Sequence, residues 1–339
     1  MFPPSAVKKG LVVTIRVNSW EEARELGRAL PGYVFRGQSD STWTLSSTVE
    51  RAAKRFSCPN TFLRNREQWM LRSFSREIHH YSSNVPKENE IVEWLALMQH
   101  HGAPTRLLDC SRSFYVAAFF ALENAAQDAA IWAFNASSMQ IAFSDMLQTQ
   151  EKLNADQAKT LKKMLPQYYN DELLKLKRKL LDIAKPTPAA VLIEPFIKNE
   201  CLRTQQGLFL CPLDLTFTVD QNLRGLWRLE EDVDMKEIGI SDRISAADLS
   251  TLLILGKVIK IVLPEHIRSG AIEDLAAMNV TSTTLFPGLD GFARSLVHCF
   301  NPWSNKDFGL PRLAHIGAVD EKEIGSRLES DEGDLERRE

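Results

Sequence analysis

The stretch from His100 to Leu122, HHGAPTRLLDCSRSFYVAAFFAL, constrains the fold more than any other, because it cannot form one continuous element. Gly102 can end a preceding helix in the left-handed conformation, and Pro104 forbids its continuation. TRLLD then reads as a short strand. Ser111 or Ser113 can cap the next helix, FYVAAFFAL, whose alanines suit close packing, and AAIWAFN supplies a further strand. Helix, strand, helix and strand must therefore pack against one another over a short span of chain.

The flanking segments extend this pattern. LVVTIR (11–16) reads as a strand, and Ser19 with Glu22 has capping-box spacing ahead of a helix from about Trp20 to Leu30. YVFRGQ reads as a strand over Tyr33 to Arg36, stopped by Gly37. From Thr48 to His101 the pattern is helical, with Phe62, Trp69, Met70 and Phe74, then Ile91, Trp94, Leu95 and Met98, at the spacing of buried stripes. A lysine-rich amphipathic region at about 154–185 reads as an inserted helical hairpin, with Leu173, Leu176 and Leu180 on one face and Lys175, Lys177, Arg178 and Lys179 on the rest. It is either a solvated insertion or a basic surface for phosphate-rich partners such as nucleic acid. Strands resume at AVLIEPFI, GLFLCP and KVIKIVLP, a helix starts near Glu265, and the charged tail from about Asp320 has a disordered composition.

Strands and helices are interspersed without strict alternation. This predicts an α+β fold, a mixed or antiparallel split sheet packed with helices, rather than a doubly wound parallel sheet. The expected organisation is an N-terminal strand-helix extension (1–31), a main domain (32–300) and a C-terminal extension (301–339). The expected core contains Trp94, Leu95, Met98, Leu107, Val116, Phe119, Phe120, Ile131 and Val262.

Composition narrows the function classes. The 339 residues are 44% hydrophobic and 25% charged, as in globular proteins, and a formal net charge of -3 gives no general attraction to nucleic acid or anionic lipid. The cysteines at 58, 110, 201, 211 and 299 lack zinc or disulfide spacing, which fits a reducing, cytoplasmic setting. No run approaches the ~20 apolar residues that span a bilayer, so no membrane association is expected. Dinucleotide fingerprint, phosphate-loop, nucleophile-elbow and zinc-protease motifs are all missing. His100 and His101 point about 100° apart on a helix and make a poor metal pair. The acidic run Glu230 to Asp234 reads as an exposed loop, and no metal is expected.

YVFRGQ, HHGAPTRLLDCSRSFYVAAFFAL, LRTQQGLFLCP and TTLFPGLDGFARSL together, in this order, resemble the FRG domain family of bacteria and phages. The resemblance covers roughly Gly32 to Leu296. Cys110 and Ser111 depart from it, since the family commonly carries tryptophan and threonine there. The motif order is also loosely similar to that of ADP-ribosyltransferases, whose split NAD site uses an arginine- or histidine-bearing strand, a hydroxyl-bearing strand entering an alanine-rich helix, and a third motif with glutamate or glutamine. That similarity implies an NAD-using activity with NAD as substrate, and the FRG resemblance implies an effector or toxin setting in phage-bacterium conflict. The similarity to ADP-ribosyltransferases implies catalytic roles for Arg36, Asp109 and Gln206, and substrate or cofactor contacts from Gly37, Gln38, His101, Thr105, Arg106, Ser111 and Arg203. Glu194 or Glu200 are replacement acids for Gln206.

Arg36 in such a site clamps a pyrophosphate or ribose oxygen with its planar fork of donors. Structural roles are open for the same residues: Arg36 and Arg106 pairing with Asp109 or other acids, Ser111 as an N-cap, His101 as a C-cap. The alternative function is a noncatalytic module that recognises nucleic acid or protein through the basic insertion.

Overall fold

The computed structural model describes residues 10–150, 188–229, 238–239 and 256–297. Strand β1 (Gly10–Arg16) leads to helix α1 (Trp20–Arg28), β2 (Tyr33–Gln38), α2 (Thr48–Arg55), α3 (Leu63–Glu77) and α4 (Ile91–His100). β3 (Leu108–Ser111), α5 (Phe114–Leu122), β4 (Ala129–Asn135) and α6 (Ala136–Gln150) follow. Next come β5 (Ala190–Ile193), α7 (Glu200–Thr204), β6 (Gly207–Pro212), α8 (Val219–Trp227), β7 (Ile238–Gly239) and β8 (Gly256–Leu263), then α9 (Arg268–Ala277) and α10 (Ser282–Leu285).

The eight strands form one sheet in the order β5-β6-β3-β2-β4-β8-β1-β7. Every pairing from β5 to β8 is antiparallel, whereas β1 runs parallel to both β8 and β7. The fold is thus α+β with a mixed sheet. The strand-helix segment read as an N-terminal extension is integral to it: β1 sits between β8 and β7, with Val13 paired to Ile259 and Ile15 to Ile261. The chain divides into two units, Met1–Phe292 and Ala293–Glu339, and the whole sheet belongs to the first. Of the second, only residues 293–297 are described.

Period-two alternation along the strands sends side chains to two separate cores. Val34, Leu108, Cys110, Trp132 and Phe134 join one core with α4, α6 and α8, whereas Phe35, Ile131, Ala133, Ile259 and Ile261 join the other with α1, α5 and α9. Helices therefore cover both faces of the sheet. Helix α5 has no polar stripe because it is buried nearly all round.

The expected core residues are buried except Phe120, which is only partly covered and meets Phe286 edge-on at 5.8 Å. The stripe assigned to α3 also differs. Phe62 and Trp69 are 54% and 65% exposed, and the buried face carries Leu63, Glu67 and Leu71 instead. An apolar count cannot foresee that a glutamate turns inward, because the reason is a cation supplied from a distant segment. Ser19 caps α1 by accepting from the Glu22 N–H, while Glu22 itself accepts from the N–H of Asn18. The basic hairpin at 154–185, the acidic run at 230–234 and the tail lie outside the described residues.

Candidate functional site

Each residue of the Phe35-Arg36-Gly37 sequence does something different because strand alternation and a buried helix surround it. Phe35 points into the core under α5, where its ring meets Phe114 at 5.6 Å and an interplanar angle of 87°. Gly37 does not stop the strand, contrary to the sequence expectation, since β2 continues to Gln38. Its role is steric: a Cβ there would lie 2.1 Å from the Ala117 carbonyl oxygen and 2.6 Å from the Ala121 nitrogen. The glycine lets β2 lie directly against the backbone of α5. Gln38 is buried, accepts from Trp132 Nε1 at 2.6 Å and donates to the Thr44 carbonyl at 3.4 Å.

Arg36 faces a local parting of the sheet. β2 and β3 share one register pair, Phe35 with Ser111, and beyond it the half-buried Arg36 donates from Nη1 to the Asp109 carbonyl at 2.7 Å. A side chain thus satisfies a main-chain acceptor next to the end of the ladder. Arg36 Nε is buried and has no hydrogen-bond partner among the described residues. The Asp109 side chain is exposed, and its Oδ1 accepts from Gln99 Nε2 at 2.7 Å.

The junction after α4 forms as its glycine and proline dictate. Gly102 adopts φ +82 and Ala103 N–H returns to the Met98 carbonyl at 2.9 Å, closing the helix. His101 is the exposed C-cap residue, with its ring 4.9 Å from that of His100. The polar residues that follow are turned inward. Thr105 is fully buried: its hydroxyl donates to Gln99 Oε1 and accepts from the Leu107 N–H at 3.2 Å, and its main chain is clasped by Thr48 and Val49 at the start of α2. Ser111 is buried in β3 rather than capping α5. It donates to the Gln205 carbonyl at 2.7 Å and accepts from the Ser113 N–H, while Ser113 is the cap.

Arg106 overturns its expected ligand role most clearly. Its side chain is 2% exposed and that of Glu67 is 0% exposed. Nε meets both Glu67 oxygens at 2.9 and 3.0 Å, Nη2 bonds Glu67 Oε2, and Nη1 donates to the carbonyls of Pro212 and Leu213 at 3.3 and 3.1 Å. Burial pulls the guanidinium pKa down, but the Glu67 charge and hydrogen bonds outweigh it and hold the value above the ordinary one. A residue enclosed in this way joins α3, the β3 approach and the end of β6, and presents nothing to a ligand.

Gln206 takes φ +49 just before β6, is exposed, and accepts from the Arg112 N–H at 3.1 Å through its carbonyl. The register Phe35↔Ser111↔Gly207 puts Arg36 and Gln206 two strands and two residues apart, on the order of 12 Å by strand spacing. They flank one region of the sheet without being placed in contact. Arg112 also bonds Glu194, which pairs with Lys198 at 2.8 Å, so this candidate acid stands near the Gln206 turn. Arg203 is well exposed and lies 3.9 Å from Glu200.

One neighbour of the site was not legible in the sequence. Arg51, on α2, donates from Nη1 to the Ser46 carbonyl at 2.5 Å. Partial burial pushes its pKa below the ordinary arginine value and the charge of Arg36 lowers it further, against the opposing pull of Asp109 and Glu50. Its only sequence signal is the Ser47–Glu50 capping box immediately before it, which predicts a helix start and no function. Burial pushes the Cys110 thiol up to about 12, with the Arg36 charge opposing that shift, so Cys110 offers no nucleophile.

Among the described residues no group of three or more His, Cys, Asp or Glu could hold a metal ion, and no helix is long and apolar enough to cross a membrane. No curated protein and no solved structure matches the chain. Residues 31–130, which run from the turn before β2 into β4, match the FRG domain family model; the stretches at 202–212 and 283–296 lie outside the matched residues. The protein thus carries an FRG domain, and its residues 31–130 belong to that family.

Proposed function

We propose that the protein is an NAD-using, ADP-ribosyltransferase-like enzyme acting in the cytoplasm, and that Arg36 clamps the pyrophosphate of the dinucleotide. The observation that carries this reading is the state of Arg36: directed by a main-chain carbonyl, half-buried and free of any carboxylate ion pair among the described residues. Fixing a guanidinium before the ligand arrives reduces the ordering cost of binding and favours a bidentate contact to phosphate oxygens. Gln206 lies far enough along the sheet to meet the ribosyl end of the same dinucleotide. In the reaction, the bond between ribose C1′ and the nicotinamide nitrogen breaks, nicotinamide leaves with the electron pair, and an acceptor nucleophile bonds to C1′ and releases its proton. On this reading the Gln206 amide and the Asp109 carboxylate stabilise the cationic ribosyl centre. An effector or toxin role in phage-bacterium conflict is the setting that the FRG resemblance implies.

Incubation with NAD labelled in the nicotinamide ring, together with cell extract, tests the assignment. Nicotinamide release is expected, and is expected to fall by at least about 100-fold in Arg36→Ala; release that survives this substitution removes the assignment. A second reading, a noncatalytic recognition module, is favoured by a different observation. Thr105, Arg106 and Ser111 are all committed to internal hydrogen bonds, leaving few first-hand contacts for substrate. Absence of NAD binding, with a salt-sensitive nucleic-acid complex lost on neutralising Lys175, Lys177, Arg178 and Lys179, selects that reading.

A further inference from the structure

We infer that the outward face of α3 is a binding surface for single-stranded nucleic acid, on which Phe62 and Trp69 stack bases while Arg66, Arg72 and Arg76 neutralise phosphates. The inference does not rest on the NAD reading, and it uses none of the basic insertion.

Helix geometry assembles this face, and the packing behind it holds it outward. At about 3.6 residues per turn, Arg66, Trp69, Arg72 and Arg76 project within an arc of about 120°. All four are exposed, while Leu63, Glu67 and Leu71 occupy the opposite side and are buried. The helix cannot turn about its axis, because both Glu67 oxygens are taken by the enclosed Arg106 and Leu63 packs with Val49, Ala53 and Leu215. Phe62, the residue that begins α3, is exposed two turns before Trp69 on the same side.

The charge of the face is one-sided. Among the described residues none of these three guanidiniums meets a carboxylate, whereas Arg16, Arg24, Arg28, Arg112 and Arg203 each do. The acids of α3 do not balance them, since Glu67 is enclosed with Arg106 and Glu77 is the last residue of the helix. Arg72 and Arg76 stand one turn apart, where like charges repel, and a bound polyanion relieves that repulsion. The chain as a whole carries a net charge of -3, so the positive excess belongs to this face and not to the composition.

The aromatic rings decide which polyanion fits. Phe62 and Trp69 are separated by on the order of 10 Å along the axis, with Arg66 between them and Arg72 one turn beyond. Base faces are open to stack on such rings in a single strand, whereas in a duplex each base is covered by its neighbours. An acidic protein segment could satisfy the arginines, but it would leave the indole in water unless it also brought an apolar pocket. Rings interleaved with guanidiniums along a convex stripe suit a strand read through its backbone and its base faces, with little regard to sequence.

Fluorescence anisotropy of an end-labelled oligothymidylate of about 12 nucleotides, titrated with the full chain at about 50 mM salt, tests the inference. Wild-type protein is expected to bind the single strand more tightly than the same strand annealed to its complement. Trp69→Ala should weaken binding by about 5- to 100-fold, the loss of one stacked base, and leave the salt dependence unchanged; Trp69→Phe should recover most of that loss. The Arg72→Gln, Arg76→Gln double variant should bind at least about tenfold more weakly, and its slope of log K against log salt should be shallower by about 1.4, about 0.7 for each phosphate contact. Melting temperatures should be unchanged, because these side chains are exposed. Arg28→Gln, which removes an exposed arginine already paired with Glu21, should change nothing. No binding by the wild type, equal binding of the duplex, or binding that ignores Trp69→Ala overturns the inference. So does binding that survives the α3 substitutions and is lost on neutralising Lys175, Lys177, Arg178 and Lys179. A polyglutamate peptide that displaces the strand at equal concentration overturns it in favour of an acidic protein partner. Nicotinamide release should be the same in Trp69→Ala as in the wild type, so the NAD reading stands or falls separately.

Discussion

Arg36 and Arg106 are both arginines of the motifs that mark this chain, and the fold treats them oppositely. Arg106 is sealed beneath the sheet with Glu67 and two carbonyls, whereas Arg36 stands at the parting of β2 and β3 with one carbonyl and an unpartnered Nε. Both positions are costly for a lone charge. At Arg106 the cost is offset within the protein; at Arg36 the Nε donor is left unmatched among the described residues. The difference lies in the surroundings, since the side chains are identical: a buried carboxylate makes an arginine structural, and its absence keeps an arginine available.

The largest test of this contrast is Glu67→Ala, which leaves Arg106 charged and enclosed without its carboxylate. Urea unfolding should show a loss of about 3–5 kcal/mol, while a Glu67→Leu, Arg106→Met double variant should recover much of it. Equal losses in the single and double variants would contradict the picture of a paired charge that tolerates joint removal. Next comes Gly37→Ala, which drives a methyl group into the backbone of α5 and should cost about 1–3 kcal/mol in the same measurement. A neutral result would mean that α5 can move away, and that this glycine is not present for contact with the helix. Arg36→Gln should cost only about 1 kcal/mol, the value of one hydrogen bond; a loss as large as that of Glu67→Ala would erase the distinction between the two arginines.

The smallest effect concerns the thiols on the same strands. Burial pushes the Cys110 and Cys211 thiols up to about 12, above the ordinary thiol range. Their folded values are raised, so the stabilisation is fully present below the unfolded pKa and is lost as pH rises from about 9 toward 12. Between pH 6 and about 8, the two thiols should leave stability unchanged. At about pH 8, peptide mass spectrometry after brief alkylation should find Cys58 and Cys201 labelled ahead of Cys110 and Cys211. Early labelling of Cys110 would show that the β2–β3 parting admits solvent more deeply than its burial implies.

Much of the architecture was legible because it depends on neighbours in the chain. The stop at Gly102 and Pro104, the cap at Ser113 and the apolar helix after it follow from local backbone rules. The strands 10–16, 129–135, 207–212 and 256–263 follow from their composition. Less of the site could be read. Asp109 reaches Arg36 through its carbonyl rather than its carboxylate, a choice set by where β2 and β3 separate, and strand separation leaves no trace in residue type. The docking of α2 was missed because it runs through Thr48 and Thr105, 57 positions apart in the chain. Glu67 was missed because its helix was assigned an apolar stripe through Trp69, when a cation from 39 residues away gave the glutamate a reason to turn inward.

The sequence by itself determined the elements, the α+β class and the family of residues 31–130, since capping, periodicity and motif order act along the chain. Only the tertiary structure decided which motif arginine is enclosed with a carboxylate and which is not, because that depends on which carboxylate arrives beside each guanidinium once the sheet has closed, and electrostatic compensation depends on distance in space rather than along the chain.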